Sequence, residues 1–191
     1  MQNLPKGFTF QRLSAENHKE ALILSDKILN INERFAKRSI FIRKMNIKMC
    51  TTHSVALYRD EKMIGGYFFN EQNNLFHEFG INPGKLKWME KNIAAVKIHK
   101  RPLIRNLIRV LRKYPGKGIE GVAVFLKYEY QGQGLGRSLI QYPYHNLEHE
   151  FSYIWGGQEK LLNNLTDWLK RRELLYDSGE CFYTITSLQK M

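Results

Sequence analysis

Cysteine is scarce: Cys50 and Cys181 are the only two in 191 residues, and neither belongs to a CxxC pair. That excludes a disulfide framework and the common zinc and dithiol redox spacings, and leaves two reduced thiols as the expectation. Proline is nearly as rare, at five, and no proline-rich linker or internal repeat divides the chain. Long apolar runs are missing too. The longest, Val122–Leu126, falls far short of the roughly 18 residues a membrane-spanning helix needs. The opening MQNLPKGFTF has no apolar stretch of signal-peptide length, so a cytoplasmic location is expected. Negative charge is the last shortage: 18 Asp+Glu stand against 30 Lys+Arg, a net charge of +12.

What is present is the composition of a folded domain. The 43% hydrophobic and 25% charged content excludes a disordered or collagen-like chain. At roughly 150 residues per domain, residues 1–191 read as a single domain with an elaboration. The basic character is localised. Lys85–Lys117 holds eleven Lys+Arg and one acid, Glu90, and Arg34–Lys48 holds six and none, so these stretches carry +16 and the remainder −4.

Periodicity predicts a strand at GFTFQRL and then a helix capped by Ser14, with Leu22, Leu24, Ile28 and Leu29 on its buried side. A second, basic helix follows to about Met49. SVALYRD and KMIGGYFFN read as an antiparallel hairpin turning at Asp60 and Glu61. Over about 82–118 the period becomes helical, predicting a two-helix insertion between the third and fourth strands, with Pro102 opening the second helix and Pro115–Gly116 ending it. On that helix Leu103, Leu107 and Leu111 form an apolar line beside Ile104 and Ile108, and Arg101, Arg105, Arg109 and Arg112 gather opposite. Then come a strand at IEGVAVFLKY, a glycine-rich loop, and a helix that Pro143 is expected to end or kink. A strand at EFSYIWG, a helix at LLNNLTDWLKRREL and two closing strands turning at Asp177–Gly179 complete the reading.

The glycines at 132, 134 and 136 sit where a strand runs onto a helix. A helix start presents unpaired N–H groups, its dipole favours negative charge, and missing Cβ atoms let a phosphate approach the main chain. The same glycines also suit a plain strand-to-helix turn. A Walker loop is excluded, because Arg137 stands where its lysine belongs and no glycine lies five residues before Gly136. A GxGxxG dinucleotide loop starting at Gly132 fails at its last position, Arg137.

The segment VFLKYEYQGQGLGRSLI resembles the QxxGxG acetyl-coenzyme A signature of the GCN5-related N-acetyltransferase (GNAT) superfamily, matched at Gln131, Gly134 and Gly136. In that family the motif follows the fourth strand and opens the third helix, and the order of elements here agrees over most of the chain. The resemblance implies an α/β fold: a twisted, mixed, mainly antiparallel sheet of about seven strands with flanking helices, its fourth and fifth strands splayed around a pantetheine arm. It implies that Phe125, Leu126 and Lys127 pair with the pantetheine, and that the amides of Gln131, Gly132, Gln133, Gly134, Leu135, Gly136 and Arg137 cradle the pyrophosphate. It further implies acetyl transfer from acetyl-CoA to a primary amine, on a small molecule or a protein, by direct attack.

Such a reaction needs a base for the ammonium. Glu120, eleven residues before Gln131, has the spacing at which histone-type members place their glutamate, although a carboxylate at a strand start is also an ordinary end residue. The family's usual general acid is a tyrosine on the last helix, and Leu169 occupies that position. Protonation of the thiolate then falls to water or to another group, with Tyr142, Tyr144, Tyr153 and Tyr176 as candidates. The missing tyrosine keeps open a non-catalytic module that retains the fold and binds nucleic acid or another polyanion.

Two further signals remain. His145, Glu148 and His149 spell HxxEH, a zinc-protease pattern, but Pro143 interrupts the helix that would carry it and surface histidines are expected instead. No metal is proposed. The basic insertion has three readings: a polyanion contact, a lipid-surface helix, or a helical pair with solvated charges. It is also expected to wall the acceptor side of the site.

Overall fold

The computed structural model describes residues 4–29, 53–71, 79–159, 172–177 and 181–188. The basic run Arg34–Lys48, the helix expected to reach Met49, Cys50, and most of the expected last helix with Leu169 lie outside the described residues. Seven strands are ordered β1-β2-β3-β4-β5-β7-β6 in one mixed sheet. They are β1 (Phe8–Arg12), β2 (Val55–Arg59), β3 (Lys62–Asn70), β4 (Gly118–Leu126), β5 (Tyr153–Glu159), β6 (Glu173–Asp177) and β7 (Cys181–Ser187). The described helices are α1 (Ala15–Leu29), α2 (Leu86–Lys91), α3 (Arg101–Lys113) and α4 (Leu135–Asn146). β1–β2, β2–β3, β5–β7 and β6–β7 run antiparallel, while β4 and β5 are parallel, with Gly118–Glu120 in register with Tyr153–Trp155. Among the described residues no helix is long and apolar enough to cross a membrane.

The chain divides into two compact units. The first comprises Met1–Gln72 and Gly121–Glu148. Its hairpin turns where expected: Asp60 and Glu61 both have positive φ, 44° and 68°, the two-residue geometry that matches the twist of the flanking strands. Helix α1 begins after Ser14, whose N–H donates to Asn17 Oδ1 at 2.7 Å while its carbonyl accepts from His18 N–H at 3.0 Å. The face of α1 that is fully buried is Ala21 and Ser25, with Leu22, Leu24 and Ile28 packed beside it. Small side chains at the centre let the helix lie close to the sheet, which the expected leucine line did not anticipate. The core gathers Leu13, Ala21, Ala56, Tyr58, Met63, Phe68 and Phe125, with Phe68 and Phe125 stacked at 5.0 Å. Gly65 permits this packing, since a Cβ there would lie 2.6 Å from the Phe125 carbonyl oxygen.

Pro143 neither ends nor breaks α4, which continues to Asn146. So near the helix end, proline forfeits one backbone bond, and the last turn is closed by Leu147 N–H on the Pro143 carbonyl (3.0 Å) and by Asn146 Nδ2 on the Tyr142 carbonyl (2.9 Å).

The second unit comprises Asn73–Glu120 and His149–Met191. The two-helix insertion is present as α2 and α3. Pro102 stands in the first turn of α3, and the helix closes with Tyr114 N–H on the Val110 carbonyl before Pro115 and Gly116, whose φ is +119°. Leu103, Ile104, Leu107 and Val110 pack against Trp155, Leu175 and Ile185, so the apolar side of α3 forms the core of this unit. The opposite side carries the cations. Arg109 and Lys113 bind Glu173 at 3.0 and 2.7 Å, and Arg112 binds Glu90.

Candidate cofactor-binding site

The first unit places the end of β4, a single 3-10 turn at Tyr128–Tyr130 and the start of α4 in direct succession. Lys127 N–H donates to the Ile64 carbonyl at 2.9 Å, so β4 is still paired with β3 at that point. Strand alternation then turns Phe125 and Lys127 amides toward β3 and the Leu126 amide the other way. Of the three residues expected to meet a pantetheine, Leu126 therefore has the available amide. The side chains of Phe125 and Leu126 are buried.

The turn that follows is tied at both ends. Tyr130 and Gln131 N–H groups bond the Lys127 and Tyr128 carbonyls, each at 3.0 Å. Gln131 Nε2 donates to the Leu126 carbonyl at 3.1 Å, and Gln133 Nε2 to the Glu129 carbonyl at 3.0 Å. Gln131 thus uses both its amide and its side chain inside the protein, which removes it from the expected pyrophosphate cradle and makes it a brace for the loop. Tyr130 anchors the turn from outside: its ring meets Phe8 edge-on at 6.3 Å, and the Arg59 guanidinium lies 5.7 Å from its centre. No spacing in the sequence signals that contact, because its partners come from β1 and β2.

The rest of the expected cradle begins at Gly132. Gly132 and Gly134 both have φ of +78°, a conformation that strains any residue with a Cβ, and Gly134 is the N-cap of α4. The first amide of α4 to find a helical acceptor is Ser138 N–H, on the Gly134 carbonyl at 3.1 Å. The N–H groups of Leu135, Gly136 and Arg137 precede it and have no intrahelical acceptor. Leu135 turns its side chain into the core and offers only its main chain, whereas Arg137 is exposed.

Gly136 separates a mere turn from a binding site. Its φ is not positive, so folding does not demand glycine there. A Cβ at 136, as at 132 and 134, would meet no protein atom within 4 Å. Among the described residues nothing near that position requires glycine. An anion lying on these amides would, since the free face of the three glycines is where a phosphate oxygen would sit. The residues present therefore fit the diphosphate of coenzyme A.

Glu120 belongs to the second unit, on β4 opposite Trp155, and is 7% exposed. The candidate acids differ in setting. Tyr142 is buried edge-on to Phe10 at 5.2 Å, and Tyr144 is half-buried on the same helix. In the second unit Tyr153 is buried, which pushes its phenol above the ordinary value, and Tyr176 lies 5.6 Å from Phe79. His145 and His149 are both exposed, and among the described residues no three His, Cys, Asp or Glu side chains converge as a metal site.

No family model matches this chain, and no curated protein matches its sequence. Solved structures do resemble it. The ribosomal-protein-S18-alanine N-acetyltransferase of Escherichia coli is 9% identical with a TM-score of 0.56, the alignment covering 96% of each chain. A mosquito arylalkylamine N-acetyltransferase, like 5b, is 13% identical with a TM-score of 0.57 over 94% of this chain and 99% of that one. The PaiA N-acetyltransferase of Thermoplasma acidophilum, solved with coenzyme A, is 10% identical with a TM-score of 0.53 over 94% and 98%. At these identities the likeness speaks for architecture, and by architecture this chain has the acyl-CoA N-acyltransferase fold of the GCN5-related N-acetyltransferases.

Proposed function

We propose that this protein transfers an acetyl group from acetyl-CoA to a primary amine. The observation that carries the reading is the open glycine face at the start of α4, above all Gly136, where neither a positive φ nor a close neighbour of the Cβ position among the described residues calls for glycine. Leu126 has the amide suited to the pantetheine, and the amides from Gly132 to Arg137 suit the diphosphate, with the exposed Arg137 guanidinium as a further counter-charge. The thioester supplies the activated acyl carbon.

Catalysis then needs little from the protein. The acceptor ammonium gives a proton to the Glu120 carboxylate, its nitrogen bonds to the thioester carbon, and the C–S bond breaks with its electron pair on sulfur. The thiolate takes up a proton from solvent. Glu120 is supported by its burial on β4 and by its spacing from the loop. Glu120→Gln tests it by thiol release with a panel of amines. The expected loss in kcat is on the order of 10²–10⁴, with coenzyme A affinity retained by calorimetry. Unchanged turnover removes Glu120 from the mechanism. Tight coenzyme A binding with no turnover of any amine by the native protein favours instead a non-catalytic module, the reading that Leu169 supports.

A further inference from the structure

No step above uses the cations of the basic insertion. Along Lys85–Lys117 eleven cations face one acid, and outside this stretch and Arg34–Lys48 the chain is net negative. The structure shows how those cations are held. The buried side of α3 fixes the helix in the core of the second unit, and its other side, with α2 and the Ile93–Ala95 turn, forms an open groove of about 570 Å³. Arg105, Arg109, Arg112 and Lys113 line it, with Ile93 and Ile108 between them and a single carboxylate, Glu90. Glu90 and Glu173 position three of the four cations, and Arg105 has no acidic partner among the described residues. Arg105, Arg109 and Arg112 recur at i, i+4 and i+7, a stripe about 10 Å long.

On the solvent face of α2 stands Trp88, 56% exposed, with Lys85 and Lys91 three residues to either side. An exposed aromatic ring flanked by cations on one helix and a cationic groove along the next supply the two things single strands require: charge for the phosphates and a π-face for an unpaired base. A lipid surface is the poorer match. A membrane-bound helix lies with its apolar face in the acyl layer, and the apolar face of α3 is already in the protein core.

We propose that the exposed face of α2 and α3 binds single-stranded nucleic acid, with the arginine groove on the phosphates and Trp88 stacked on a base.

The test uses the full chain and a fluorescein-labelled oligouridylate, followed by anisotropy across a salt series. Each neutralised phosphate contributes about −0.7 to the slope of log K against log salt, so four to six contacts give roughly −3 to −4. Lys85→Gln/Lys91→Gln/Arg105→Gln removes three exposed cations that hold no acid among the described residues, so the fold is untouched; the slope should flatten by about 2. Trp88→Ala should weaken binding at least about five-fold with little change in slope. Four results overturn the proposal: no binding at low salt, a slope unchanged in the triple variant, no effect of Trp88→Ala, or equal retention by polyglutamate or by phosphatidylserine vesicles.

Discussion

Gly136→Leu separates a binding loop from a structural turn, because the two give opposite signs. A Cβ at 136 would meet, among the described residues, no atom within 4 Å outside its chain neighbours and its own helix backbone, so the substitution starts without a close contact. Leucine is a far better helix residue than glycine, and the difference is worth about 0.5–0.8 kcal/mol. For a chain of this length each kcal/mol moves the melting temperature by roughly 2–4 °C, so calorimetry should record a gain of about 1–3 °C. Coenzyme A should respond in the opposite sense. The leucine covers the face on which the N–H groups of Gly136 and Arg137 open, and hydrogen bonds to a charged group are worth about 1.5–3 kcal/mol each. Losing two costs about 3–6 kcal/mol, a rise in Kd of a hundred-fold or more. A stabilised variant that binds coenzyme A within about ten-fold of the native protein would refute the reasoning. So would one that loses stability, since Gly136 would then serve the fold.

Three other perturbations follow from the packing and the charges. Gly65→Ala drives a Cβ against the Phe125 carbonyl, which is main chain and cannot rotate aside. It should cost about 1–3 kcal/mol in urea denaturation, and a neutral result would mean that β3 and β4 are not packed as described. Leu107→Ala empties a fully buried position under α3 and should cost about 2–5 kcal/mol; a loss under about 1 kcal/mol would show that this helix does not form the core of its unit. Burial opposes the charge of Glu173, but Lys113, Tyr114 and Arg109 outweigh it and hold the carboxyl below the ordinary value of 4.5. That contribution is present above pH 4.5 and is lost as pH falls through the lowered value. Glu173→Gln should therefore be less stable than the native protein at pH 7, with the gap closing in acid; a gap that stays constant down to pH 3 would mean the ion pairs do not form.

The elements legible in the sequence were those with a local cause. The Asp60–Glu61 turn, Pro102 at the head of α3, Pro115–Gly116 at its end and the strand-to-helix glycines each act within a few residues, through φ or a missing donor. Two features had no such cause. Leu22, Leu24 and Ile28 pack on the buried side of α1 as expected, but its centre is Ala21 and Ser25, because the depth at which a helix meets a sheet depends on residues from β2, β3 and β4. Pro143 was tolerated inside α4 because the lost bond lies near a helix end that Leu147 and Asn146 close.

By itself the chain's order of residues determined that a strand delivers glycines onto a helix and that positive charge concentrates on an insertion, since both are properties of neighbours along the backbone. Only tertiary structure decided which of those groups remain open. Gln131 is consumed as a brace on Leu126, and Lys127 N–H is taken by Ile64, whereas a Cβ at Gly136 would have no neighbour within 4 Å among the described residues beyond its own helix. On α3, Glu90 and Glu173 claim three of the groove's four cations and leave Arg105 without an acid among the described residues. Whether a donor or a charge is available depends on what the fold brings to it, from Leu126 five residues before Gln131 to Glu173 sixty residues after Lys113.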